Sequence, residues 1–120
     1  MEFFLLKGII RPVSDEAVQY VSNIFLRPKK DGSHGVILNL KQLNTDIKHY
    51  HFKMETLTTA LSCIYKNAWF ASCNFKDAYY SIRVDQRYRN VLIFSYKNQL
   101  YEYTCLPNGL TTSPRVFTKV

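Results

Sequence analysis

Between Asn74 and Tyr80 the chain sets a carboxamide, a cation, a carboxylate and two phenol rings in the run Asn74-Phe75-Lys76-Asp77-Ala78-Tyr79-Tyr80. The run starts from apolar Trp69 and Phe70 and breaks into a polar turn at Asp77, so its polar groups sit where a strand is expected to end. Chain ends of strands open onto crevices, and ligands bind there for that reason. A second stretch, Lys29-Lys30-Asp31-Gly32-Ser33-His34-Gly35, puts two adjacent cations on a turn. Such a pair suits a phosphate, although a solvated hairpin tip looks the same.

Elements on either side must hold these groups. Asp31-Gly32 lies between two apolar runs, Val21–Leu26 and Val36–Leu40, which is a hairpin pattern. Residues 3–10 suit the end of a helix followed by a turn at Lys7-Gly8, and Arg11-Pro12 makes an extended link. Ser14 as cap with Asp15 and Glu16 in a first turn predicts a short helix over about 15–20. Met54, Leu57, Leu61 and Ile64 recur at helical spacing, predicting an amphipathic helix over about 53–65 whose stripe packs into the core. A strand over 68–75 follows, then the Asp77 turn, and a polar bend or short helix at 85–89. Val91–Tyr96 and Gln99–Thr104 form a hairpin closed near Lys97-Asn98, with Tyr101 and Tyr103 on one face and Glu102 on the other. Leu106-Pro107-Asn108-Gly109-Leu110 is a loop, and Ser113 as cap before Pro114 starts a helix inside which the chain stops.

At 120 residues the chain is one domain at most. With 47% apolar and 15% aromatic residues it is globular and not disordered. Sixteen Lys and Arg against nine Asp and Glu give +7, which favours a polyanionic partner. Cys63, Cys73 and Cys105 are odd in number and lack metal spacing, so neither a disulfide framework nor a zinc knuckle is expected. His34, His49 and His51 form no metal set. No apolar run reaches membrane-span length and no cleavage pattern follows the first apolar stretch, so the reading is of an intracellular protein without a membrane partner.

Four blocks in one order resemble the reverse transcriptases of retrotransposons: Phe25-Leu26-Arg27-Pro28-Lys29-Lys30-Asp31-Gly32, Val36-Ile37-Leu38-Asn39-Leu40-Lys41-Gln42-Leu43-Asn44, the Asn74–Tyr80 turn, and Leu106–Leu110 with Ser113-Pro114-Arg115-Val116-Phe117. The wording, Phe52-Lys53-Met54-Glu55-Thr56-Leu57 included, is similar to the DIRS-like and Ty3-like groups, and the likeness covers about residues 5–119. The resemblance implies an α+β fold with a mixed or antiparallel sheet and helices, with fingers over about 1–67 and the start of a right-hand polymerase palm over about 68–120. It implies an RNA-directed DNA polymerase that transfers a nucleotide to a primer 3′-hydroxyl, with Mg²⁺ as cofactor and template-primer and dNTP as partners. Two metal ions held by carboxylates would activate the hydroxyl and steady the leaving group.

By motif position, Lys29 or Lys30 would touch the triphosphate from the fingertip. Asp77 and Ala78 would lie beneath it, Tyr79 would sit against the sugar, and Asn108 would touch the incoming nucleotide. Lys41 and Asn44 would support the fingers and template side. Three departures bear on activity. Asn74 stands where the first metal-bridging aspartate belongs, and a neutral carboxamide cannot bridge two divalent cations. Gly35 stands where relatives carry an arginine expected to grip the triphosphate. The chain also ends before any Tyr-x-Asp-Asp hairpin. The expectation is a truncated, degenerate copy with no intact metal site, incompetent as a catalyst. The alternative is a weak, non-specific nucleic-acid-binding remnant, with apolar surface that invites aggregation or a completing chain.

Overall fold

The computed structural model describes residues 1–16 and 18–119. Helix α1 (Glu2–Leu6) ends at Gly8, whose φ of +69° lets the chain reverse while its amide donates to the Leu5 carbonyl. Strand β1 (Ile10–Val13) follows, then β2 (Val21–Ser22), β3 (Ile24–Pro28) and β4 (His34–Leu38). Helices α2 (Lys41–Asp46) and α3 (Leu57–Ser62) precede two short 3-10 helices, Ala78–Ser81 and Gln86–Val91. The chain closes with β5 (Ile93–Tyr96), β6 (Gln99–Tyr103) and α4 (Ser113–Thr118).

Two sheets result. In the larger, β1, β6, β5 and β2 lie in that order, antiparallel except for the parallel pair of β2 with β5. The smaller is the β3–β4 hairpin. Strands from both halves of the chain thus share one mixed sheet, as the α+β expectation requires. At the β5–β6 turn Lys97 and Asn98 have φ of +47° and +61°, the paired positive values that match a tight hairpin to strand twist.

The core lies where the sheet meets α2 and the loop after β6. Ile10, Leu38, Leu40, Leu43, Phe94 and Tyr103 are buried there. Phe94 stacks on Tyr101 with ring centroids 5.6 Å apart and lies tilted against Tyr103. On β6, Glu102 is buried opposite Arg11 of β1, and the Arg11 Nε donates to its carboxylate. Glu102 therefore belongs to the packed interior as much as its tyrosine neighbours do.

Several expectations fail for physical reasons. No helix forms among the described residues of 15–20 (Ala17 lies outside them): Gln19 Nε2 donates to the Ser14 carbonyl and its Oε1 accepts from the Glu16 amide, so a side chain closes this turn. The helix expected over 53–65 shrinks to α3, and its stripe is not core, since Met54, Leu57, Leu61 and Ile64 are 64, 75, 56 and 47% exposed. A short helix holds only weakly without a packed face. The strand expected over 68–75 is absent, because among the described residues no strand runs beside it to satisfy its backbone. Trp69 is 98% exposed. Ser113 does not cap α4; it is the first helical residue, and its buried hydroxyl donates to the Pro107 carbonyl at 3.1 Å. The radius of gyration, 17.5 Å, exceeds the roughly 14 Å of a compact chain of this length.

Burial pushes the Tyr103 phenol far above its ordinary range, and pushes the Cys105 thiol up as well. Both are neutral in the fold, so their contribution to stability is full at neutral pH. It is lost as pH rises past the unfolded values of about 8.5 for the thiol and about 10 for the phenol, where only the unfolded chain ionises. The urea midpoint should therefore fall above about pH 9, and Tyr103→Phe should flatten that fall. A midpoint with the same alkaline slope in both proteins would refute the assignment. Phe94→Ala should lower stability by about 3–5 kcal/mol in the same urea experiment.

Candidate nucleotide-facing groove

Hairpin β3–β4 carries its cations on a turn built by Asp31. The Asp31 Oδ1 accepts from the Ser33 amide at 3.0 Å and from the Ser33 hydroxyl at 2.6 Å. These bonds, the hydroxyl's first, hold the Asp31 carboxyl below the usual range. Gly32 takes φ of +83°, and the Lys29 amide donates to the Ser33 carbonyl at 2.7 Å. Opposite this tip, Asp77 sits in the left-handed region with φ of +52°, a conformation that aspartate tolerates better than most residues. The next residues curl into the 3-10 turn that presents Tyr80.

An open groove of about 580 Å³ lies between these elements. It gathers Lys29, Gly35, Lys76, Asp77, Tyr80 and Asn108, with α1 closing one side through Phe3 and Phe4. The floor is aromatic: the Phe4 and Tyr80 rings meet edge to face at 5.7 Å. Burial, then the charge of Asp77, raises the Tyr80 phenol above its ordinary range, and Asn108 Nδ2 donates to its oxygen at 3.5 Å. Built from cations, one carboxylate, a carboxamide and a hydroxyl, the groove can hold an anionic group against an aromatic wall. At Gly35 an added Cβ would stand 3.3 Å from Lys29 Cε, so any side chain there would press on this lysine.

Of the residues singled out from sequence, Lys29, Asp77 and Asn108 come together here, with Gly35 beside them. The others lie elsewhere. Lys30 lines a neighbouring face with Arg27, Pro28 and Ile37. Asn74 is exposed on an irregular segment. Ala78 accepts a bond from the Ser81 hydroxyl at 2.6 Å, and Tyr79 sets its ring edge-on to Phe117 of α4, 5.8 Å away. Lys41 is exposed at the start of α2, and its amide donates to Asn39 Oδ1 at 3.2 Å. Asn44 ties α2 to the loop after β6: its Nδ2 donates to the Gly109 carbonyl and its Oδ1 accepts from the Thr111 amide, both at 2.9 Å. Sequence reasoning gave no role to Lys76, Tyr80 or Phe4. Lys76 and Tyr80 stood inside the opening motif, whereas nothing in sequence linked Phe4 to it.

The position that the resemblance assigns to bridging two magnesium ions holds the neutral carboxamide of Asn74. No cluster of three or more His, Cys, Asp or Glu occurs among the described residues. Nor, among those residues, is any helix long and apolar enough to cross a membrane.

No family model matches the chain. It is 29% identical over 113 residues to the transposon Tf2-3 polyprotein of Schizosaccharomyces pombe, and 28% identical to the Tf2-7 polyprotein of that organism. Each match covers 94% of this chain and 8% of the polyprotein, so the chain spans about a twelfth of these relatives. Among solved structures, prototype foamy virus protease-reverse transcriptase superposes at a TM-score of 0.81, covering 98% of this chain and 16% of that one at 18% identity. The foamy viral protease-reverse transcriptase in complex with double-stranded DNA superposes at 0.85, with 98% and 24% covered at 16% identity. The same enzyme with an RNA/DNA hybrid superposes at 0.76, with 98% and 15% covered at 14% identity.

Asn44→Ala should remove both bonds that fasten the loop carrying Asn108 and lower stability by about 1–3 kcal/mol, read from urea unfolding. Unchanged stability would mean that the loop is held by other contacts.

Proposed function

We infer that this chain, with the reverse-transcriptase fold and Ty3-like retrotransposon relatives, is a stretch of a retroelement reverse-transcriptase domain that keeps a nucleic-acid-facing surface without the chemistry for nucleotidyl transfer. The observation that carries this reading is the groove. Within this fold Lys29, Asp77 and Asn108, taken from three separate blocks of sequence, converge on one concave surface. In the proposed arrangement a polyphosphate lies between the hairpin tip and the 76–77 turn, attracted by Lys29 and Lys76. The Phe4–Tyr80 wall bounds its sugar or base end, and Asn108 offers a carboxamide to the nucleotide. Lys30, on the adjoining face, adds charge to the approach.

Magnesium chemistry is the part that this chain lacks. Asn74 supplies no negative charge, and Asp77 is the carboxylate of the groove, beside Lys76 rather than a second acid. The residues do not fit a pair of divalent ions, so no transfer step runs through them. What remains is binding by charge: the excess of +7 and the Lys29-Lys30 tip favour phosphate backbones of either DNA or RNA. The foamy viral protease-reverse transcriptase, similar in fold, is found in complex with double-stranded DNA and with an RNA/DNA hybrid, which supports the same class of partner. The division into fingers over about 1–67 and palm over about 68–120 belongs to this proposal.

Fluorescence anisotropy with a labelled primer-template across a NaCl series tests it. Log affinity should fall linearly with log salt, and changing Lys29 and Lys30 together to Ala should make the slope shallower by roughly two units. Binding that ignores salt would contradict the charge-based reading. In parallel, the protein should add no nucleotide to the primer with Mg²⁺ present. Any templated incorporation would overturn the claim about Asn74.

A further inference from the structure

Outside the groove, His49 and His51 stand two residues apart in the irregular segment between α2 and α3. That segment lies against the start of α4. With Met54 the two histidines line an open cavity of about 600 Å³, bounded on the α4 side by Thr111 and Pro114. Two imidazoles and a thioether thus share one space. Sequence reasoning found no metal set here because no carboxylate or thiol stands beside the histidines, and the thioether was not counted as a donor. Among the described residues no side-chain hydrogen bond reaches either imidazole, which leaves their ring nitrogens open to a ligand. The nearby cations are engaged with Tyr50: Lys48 and Arg115 lie over its ring, 5.2 and 4.5 Å from the centroid.

We propose that His49, His51 and Met54 bind a soft monovalent metal ion, copper(I), at this cavity. The chemistry of the lining selects the ion. Magnesium and calcium call for several oxygen ligands, carboxylates first, and the lining contains no carboxylate. Zinc sites are built from nitrogen, thiolate or carboxylate donors, almost always four in structural sites and three with an open position in catalytic ones, whereas only two imidazoles are present here. A thioether is a soft donor that favours copper(I), and imidazole suits copper as well. Charge argues the same way. All three donors bind as neutral groups, and Lys48 and Arg115 stand close by, so a single positive charge is better tolerated than a double one. Exposure of all three side chains lets an ion reach them without any opening of the fold. The site is independent of the nucleic-acid reading above.

The test uses the full chain carrying Cys63→Ser and Cys73→Ser, because both thiols are exposed and would take a soft ion themselves. Silver(I) serves as a probe for copper(I) that undergoes no redox change. In an NMR titration the imidazole signals of His49 and His51 and the methyl signal of Met54 should shift together and saturate with a single ion per chain. The His34 ring should stay in place, and zinc should bind more weakly than silver. His49→Ala and Met54→Leu should each weaken silver binding by roughly tenfold or more, since even the outer partners of metal ligands contribute that much. Both positions are exposed, so the urea midpoint should not move and a loss of binding is not a loss of fold. A Met54 methyl that does not shift, silver affinity that survives Met54→Leu, or tighter binding of zinc than of silver would overturn the inference. Shifts confined to the neighbours of buried Cys105 would overturn it too, by assigning the ion to that thiol.

Discussion

Strand β6 is bonded along both edges, to β1 on one side and β5 on the other, and the rest of the structure depends on that placement. Ile10 pairs with Tyr103 across most of the chain's length, so the sheet cannot close until distant residues meet. Beyond β6 the chain stays in the core: the Thr104 amide donates to the Ile9 carbonyl at 2.8 Å and the Leu106 amide to the Ile82 carbonyl at 3.0 Å. Those two bonds fix where the 106–110 loop leaves the core. Asn44 then anchors the loop to α2, and Asn108 is delivered to the groove. The same strand also buries Glu102, and the Arg11 contact gives that carboxylate a partner that keeps the burial tolerable.

Charge is distributed unevenly around this frame. The groove faces solvent with Lys29 and Lys76, and its one carboxylate, Asp77, lies beside them on a turn. The cavity beside the start of α4 is lined by two imidazoles and a thioether, with no carboxylate. A polyanion is drawn to the first, where cations are exposed, and a soft cation to the second, where the donors are neutral.

Much of the fold was legible where local chemistry and tertiary pairing agree. Asp31-Gly32 marked the β3–β4 turn, and Lys97-Asn98 marked the β5–β6 turn, because both need positive φ or a side-chain-closed loop. Gly8 marked the end of α1 for the same reason. Reading failed where a local signal lacked a tertiary partner. The stripe at Met54, Leu57, Leu61 and Ile64 looked like core and the apolar run from Trp69 looked like a strand, yet both remain uncovered among the described residues. Ser14, Asp15 and Glu16 looked like a helix start, but Gln19 offered the backbone a competing set of bonds. In the groove, motif position located Lys29, Asp77 and Asn108. It could not reveal that Tyr79 meets Phe117 while Tyr80 faces the groove, because the direction of a side chain in a 3-10 turn depends on what packs beneath it.

In the proposed function the groove holds a polyphosphate by charge alone and needs no divalent ion. Its most direct test is an NMR titration of the ¹⁵N-labelled chain with inorganic tripolyphosphate, with and without Mg²⁺. Shifts should concentrate at Lys29, Gly35, Lys76, Asp77 and Asn108, present without the metal and not strengthened by it. Shifts that appear only with Mg²⁺, or that fall on residues away from the groove, would contradict it.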